Sequence, residues 1–189
     1  MGETLRAFLA LPLSEIFELE IRFALQQLQP VSRKINWVQD SQVHLTLHFF
    51  GTIPSGAVES IRKTIAPLVA AHSAPALSLK GVGCFPDEQR PRILWLGVGG
   101  QTAALLALQR DIECALALLR FPSEERAFVP HVTVGRVQKD QRIQWSTPDR
   151  LSEWQTEILP ARRLVLFRSH LSPQGPRYEI LETFPFSGR

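Results

Sequence analysis

The chain has 189 residues, 44% of them hydrophobic and 21% charged, which is enough to bury a sizeable core within one domain. Its two cysteines, Cys84 and Cys114, form no CxxC pair, which excludes a disulfide framework and a cysteine zinc knuckle. The net charge of +3 suits an anionic ligand, but no run of Lys and Arg is dense enough to mark a long nucleic-acid track.

Read in chain order, "TLRAFLALPL" predicts a first strand ended by Pro12. Its apolar stretch is too short for a secretory leader or a membrane span, so a reduced, cytoplasmic setting is expected. Ser14 is placed to cap a helix that runs to about Leu28 and is stopped by Pro30. "NWV" predicts a short strand and "VHLTLHFFG" a longer one. A second helix over "SGAVESIRKTIAPLVAAH" contains Pro67, which predicts a kink or an early end. "ALSLKGVGCF" and "RILWLGVGG" predict two strands joined by a polar turn. "QTAALLALQRDIECALALL" predicts a long helix with a buried Ala/Leu stripe. "FVPHVTVGRV" follows as a strand, "TPDRLSEW" as a short helix, and "RRLVLFRSHLS" with "RYEILETFPF" as a hairpin around "PQGP". No GxGxxG or GxxxxGK[ST] is present, which argues against a dinucleotide or P-loop site. The order predicts an α+β protein, with an antiparallel sheet in each half, helices outside and pseudo-twofold symmetry.

Two stretches stand out, "HLTL" from His44 and "HVTV" from His131. Strict alternation puts His44, Thr46, His48 and Phe50 on one strand face, and Val43, Leu45, Leu47 and Phe49 on the core face. In the second stretch His131, Thr133 and Gly135 share a face, with Val132 and Val134 opposite. Two such strands facing each other would surround one centre with two imidazoles and two hydroxyls. That set fits a phosphate: hydroxyls hold non-bridging oxygens, while one imidazole takes a proton and the other gives one. Opening a cyclic phosphodiester with water needs such a pair, and it needs no metal. A lone strand His-x-Thr is more often packing; two copies 87 residues apart (131 − 44) favour chemistry. A zinc site is the main rival, but His44 and His48 would stand roughly 13 Å apart on a strand, and neither motif carries an acid. His72 and His170 read as ordinary polar positions, and His48 has no counterpart at Gly135.

On these residues the chain resembles the two-histidine (2H) phosphoesterases. Within them it is similar to the bacterial and archaeal RNA 2′,3′-cyclic phosphodiesterases, historically called 2′-5′ RNA ligases. "RAFLALPL", "NWVQDSQVHLTLHFFGTI", "GVGCFPDEQRPRILWLGV", "PHVTVGR" and "LFRSHLSPQGPRYEIL" extend the likeness over nearly the whole chain. The resemblance implies a single bilobal domain over residues 1–189, its two antiparallel sheets facing a central cleft. It implies hydrolysis of 2′,3′-cyclic phosphate ends of RNA, or of cyclic nucleotides, to 2′-phosphates, with no cofactor and no metal. His44 and His131 would be catalytic, and Thr46 and Thr133 would bind the phosphate. His44 is favoured as the acid for the 3′ oxygen and His131 as the base for water. Arg136 matches a family arginine; alternation points it to the core, and a bulge would return it to the cleft as a phosphate contact. Phe8, Trp37 and Phe50 are candidates to stack on a base. Tyr178 is expected to pack beside the final hairpin, and the expected state is a monomer away from membranes. The alternatives are a 2′-5′ RNA ligase acting on tRNA halves and a non-catalytic module binding RNA ends or nucleotides.

Overall fold

The computed structural model describes residues 3–122, 127–172 and 175–187. Its strands are β1 Thr4–Leu11, β2 Ile35–Trp37, β3 Leu45–Pro54, β4 Ala76–Phe85, β5 Ile93–Gly100, β6 His131–Val137, β7 Leu159–Pro160, β8 Arg163–Ser172 and β9 Gly175–Pro185. The α-helices are α1 Glu18–Leu28, α2 Ala57–Ala71, α3 Thr102–Leu118 and α4 Asp149–Ser152. The apolar spacing explains them: Ile21, Ala24, Leu25 and Leu28 form one buried stripe on α1, and Leu105, Leu108, Ile112 and Leu116 another on α3. No described helix is long and apolar enough to cross a membrane.

The strands form two antiparallel sheets, one in the order β3-β1-β8-β9 and one in the order β2-β6-β5-β4-β7. Contrary to the expectation from sequence, the sheets do not follow the two halves of the chain. The C-terminal hairpin β8–β9 completes the first sheet, and β2 leaves the N-terminal half to edge the second. The hairpin forms as expected, though Pro173 and Gln174 of its turn lie outside the described residues.

Three local expectations change. Ser14 does not cap a helix; its hydroxyl donates to the Ser41 carbonyl at 3.1 Å, and α1 starts after Phe17. The helix α2 does not end early at Pro67 but continues to Ala71. Pro67 is exposed, so its ring lies on the outer side of the helix. Phe49 is not in the core but 41% exposed, and its ring lies 5.2 Å from the Arg6 guanidinium.

The Phe49 result follows from register. Along β1–β3, Leu11 pairs with Leu45 and Ala10 with Thr46, but then Leu9 pairs with His48 and Phe8 with Phe49. Leu47 is an extra residue, a β-bulge that reverses the alternation after Thr46. Phe49 therefore joins the face of Thr46 and Phe8, while His48 turns to the face of Leu9 and Leu45 and is buried.

Candidate active site

A cavity of about 650 Å³ separates the two sheets. His44, Thr46 and Tyr178 line it from the first sheet side, and His131, Thr133 and Arg136 from the second. His44 is the last residue before β3, and His131 opens β6. The two histidines are held in the same way. Nδ1 of His44 lies 2.7 Å from the Gln42 carbonyl, and Nδ1 of His131 lies 2.7 Å from the Val129 carbonyl, in each case two residues back. A carbonyl only accepts, so each Nδ1 carries a hydrogen and each Nε2 remains for chemistry.

Aromatic rings fix both imidazoles. Phe8 stacks on His44 with ring centres 4.8 Å apart and 29° between planes, and Tyr178 meets His44 edge-on at 5.2 Å. Phe85 meets His131 edge-on at 5.0 Å, with Trp95 behind it at 6.5 Å. Trp95 has room only because Gly83 lies against it; a Cβ there would stand 2.3 Å from the indole ring. Sequence alone does not reveal these supporting rings. Tyr178 faces the cavity rather than simply packing in the hairpin, and the pairing Ser169↔Tyr178 on β8–β9 is its one signal.

Burial is the chief cause that lowers the His44 pKa from its ordinary 6.5 to about 4; the Gln42 hydrogen bond opposes it, and the charges of Arg136 and His131 add to it. At neutral pH His44 is an uncharged base.

Arg136 reaches the cavity through a second bulge. Trp95 pairs with Thr133 and Leu94 with Gly135, leaving Val134 extra. Gly135 thus takes the Leu94 side, while Arg136 pairs with Ile93 on the face of Thr133. Gly135 is required there, since a Cβ would lie 2.8 Å from Ile35 Cγ2 and 3.0 Å from the Trp37 ring.

Of the three rings proposed to stack on a base, only Trp37 lines this cavity, and it pairs with Gly135 on the face opposite Arg136. Phe8 does not serve: it is 3% exposed, with His44 and Phe167 stacked on it. Phe50 is half-buried, meets the His48 ring at 4.5 Å and the Phe121 ring at 5.0 Å, and lines neither this cavity nor its neighbour.

A second cavity of about 750 Å³ adjoins the first and shares Thr46 and His131 with it. Phe49, Phe85, Pro86 and Phe128 give it apolar walls. His48 and Glu113 stand at its inner side, His48 Nδ1 donating to Glu113 Oε1 at 2.7 Å. Gln109 on α3 donates to the same oxygen at 3.2 Å and to the Leu47 carbonyl at 3.5 Å. His48 thus braces β3 against α3. His72 and His170 pair with Asp111 and Glu179, away from both cavities. Among the described residues no three His, Cys, Asp or Glu side chains cluster as metal ligands.

A family model described as the 2′-5′ RNA ligase superfamily matches residues 17–171. The chain is 31% identical over 182 residues to an RNA 2′,3′-cyclic phosphodiesterase of Methanothermobacter thermautotrophicus, covering 95% of this chain and 97% of that one. It is 34% identical over 153 residues to an RNA 2′,3′-cyclic phosphodiesterase of Geobacillus stearothermophilus; the match takes in 80% of this chain but only about half, 48%, of that relative's length. Among solved structures, TT0787 of Thermus thermophilus superposes with a TM-score of 0.81 at 26% identity, covering 97% of this chain and 99% of that one. E. coli LigT complexed with 3′-AMP has the same fold, with a TM-score of 0.72 at 23% identity over 98% of this chain and 99% of that one.

Proposed function

Because the chain belongs to the 2′-5′ RNA ligase superfamily, we propose that it hydrolyses the 2′,3′-cyclic phosphate ends of RNA to 2′-phosphates. The observation that carries this reading is the pair of imidazoles, each pinned through Nδ1 to the carbonyl two residues back, lining one cavity with two threonines and an arginine.

The chemistry divides between the two histidines. Water attacks phosphorus in line with the 3′ oxygen and gives its proton to Nε2 of one imidazole. The P–O3′ bond breaks, and the other imidazolium protonates the departing 3′ oxygen, leaving a 2′-phosphate and a 3′-hydroxyl. The expectation from sequence takes His44 as the acid. The depressed pKa favours the reverse, since a histidine of pKa about 4 holds no proton to donate at neutral pH. His44 is therefore the base for water, and His131 is the acid. The hydroxyls of Thr46 and Thr133 hold the non-bridging oxygens, and the Arg136 guanidinium balances the charge that grows on them. The apolar cavity beyond Thr46 and His131 receives the terminal nucleoside.

The test is product identification after incubation with 2′,3′-cyclic AMP. The expected product is 2′-AMP. Formation of 3′-AMP would mean that the other ester bond is cut, and absence of turnover would favour a binding module.

A further inference from the structure

The sequence has no dense basic run, yet the fold gathers cations from three separate segments onto one edge. Strand β2 borders β6 at the margin of the five-stranded sheet, with Asn36 opposite Arg136. Directly opposite residues share a face, and so do residues two apart. Asn36 and Arg136 therefore lie on one face, the one that borders the catalytic cavity, and Lys34 sits in the turn that leads into β2. The Gln138 amide donates to the Lys34 carbonyl at 2.9 Å, and its side chain donates to the Arg33 carbonyl at 3.3 Å, which ties the segment after β6 to the start of β2. Lys139 and Arg142 follow in that segment. Arg92 joins from the start of β5, where its carbonyl accepts from Val137 at 2.9 Å.

Arg33, Lys34, Arg92, Arg136, Lys139 and Arg142 are all exposed. None of the six has an ion-pair partner among the described residues, whereas Arg22, Arg62, Arg163 and Arg168 each meet a carboxylate elsewhere. With Asp140 the one acid in the turn beside them, this edge carries 6 − 1 = +5, against +3 for the whole chain, so the rest of the protein carries 3 − 5 = −2. Unpaired like charges held together repel one another, and a polyanion relieves that repulsion. Side chains two apart on a strand stand roughly 6–7 Å from each other, comparable to the step between phosphates of an extended single strand.

We propose that this β2–β6 edge is the track for the RNA strand 5′ of the cyclic phosphate, whose phosphates pass from the cavity mouth at Arg136 to Lys34 and on to Arg33, Lys139 and Arg142. The inference rests on the activity proposed above and adds which surface holds the RNA strand beyond its cyclic phosphate end.

The experiment compares the wild type with the triple variant Lys34→Gln/Lys139→Gln/Arg142→Gln, none of which is part of the catalytic set. Two substrates are used, a single-stranded RNA decamer ending in a 2′,3′-cyclic phosphate and 2′,3′-cyclic AMP, each between about 50 and 200 mM salt. Each phosphate contact on a single strand contributes about −0.7 to the slope of log affinity against log salt, so the variant should lose about 2 from the slope for the decamer. Its kcat/KM for the decamer at about 50 mM salt should fall by about tenfold or more, while that for cyclic AMP stays within about twofold, which also reports intact folding. Equal losses on both substrates, or no loss on the decamer, would overturn the track. Fluorescence anisotropy with a labelled decamer ending in a 2′-phosphate reads the same slope without turnover. If the wild type hydrolyses neither substrate, the proposed activity fails, while the anisotropy slope still decides the surface.

Discussion

If His44 is the base, the acid limb of the kcat/KM profile must report its pKa in the free enzyme. The fold lowers that pKa from 6.5 to about 4, a displacement equivalent to about 3 kcal/mol. Wild-type kcat/KM at pH 5 should then remain about nine-tenths of its plateau. The perturbation is Phe8→Leu. It removes the ring stacked 4.8 Å from His44 but keeps an apolar side chain, costing about 1 kcal/mol of stability. Water gains access to the imidazole, and because burial is the chief cause of the shift, the limb moves up. A rise of one unit leaves about half of the plateau at pH 5, and full return to 6.5 leaves about 3%. The assay is initial-rate hydrolysis of 2′,3′-cyclic AMP from about pH 3.5 to 8. A wild-type limb already at about pH 6 to 7, or one that Phe8→Leu leaves in place, refutes the assignment of His44 as base. Stability obeys the same linkage. Between pH 6.5 and about 4 the unfolded chain binds a proton at this position that the folded chain refuses. Stability therefore falls as pH drops through that window, by at most about 3 kcal/mol.

Three further outcomes follow from the site. Alanine at His44 or at His131 should lower kcat by at least ~10²-fold, measured by product formation, with near-normal turnover in either variant ruling out the acid–base pair. Glu113→Ala leaves the buried His48 Nδ1–H without its acceptor and should cost about 2 kcal/mol, a drop of roughly 4–8 °C in Tm by thermal melt. Glu113→Gln keeps an acceptor and should recover most of that loss, and an unchanged melt for Glu113→Ala would show that the brace does not stabilise the fold. Gly83→Ala sets a Cβ against the Trp95 ring, which stands behind His131, so both Tm and kcat should fall; a variant that melts lower yet turns over normally would detach Trp95 from the positioning of His131.

The two His-x-Thr strands are legible in sequence because the pattern is local: an imidazole and a hydroxyl two apart on one face need only a strand beneath them. The face of Arg136 is not legible, because it depends on the extra residue at Val134, and a bulge leaves no mark in the hydrophobic pattern. The bulge at Leu47 hides more. It turns His48 from the wall of the cleft to the core, where it meets Glu113, 65 residues away, and it sends Phe49 out of the core. The sheet membership of β2 and of the C-terminal hairpin is hidden for a related reason, since a strand's own residues do not state its distant partner.

The two bulges also bear on the chemistry, because they fall just after the two His-x-Thr motifs. Leu47 follows Thr46, and Val134 follows Thr133. In each strand the motif itself keeps regular alternation and the extra residue comes next. The residues beyond are thus released from the face that alternation would give them, Arg136 toward the cavity and His48 away from it. The near-symmetric motifs therefore sit in asymmetric surroundings. On one side a guanidinium stands at the cavity; on the other a histidine is withdrawn into a hydrogen-bonded brace. Burial and the Arg136 charge both lower the pKa of His44, and the Arg136 charge reaches it only because the bulge at Val134 turns that side chain to the cavity.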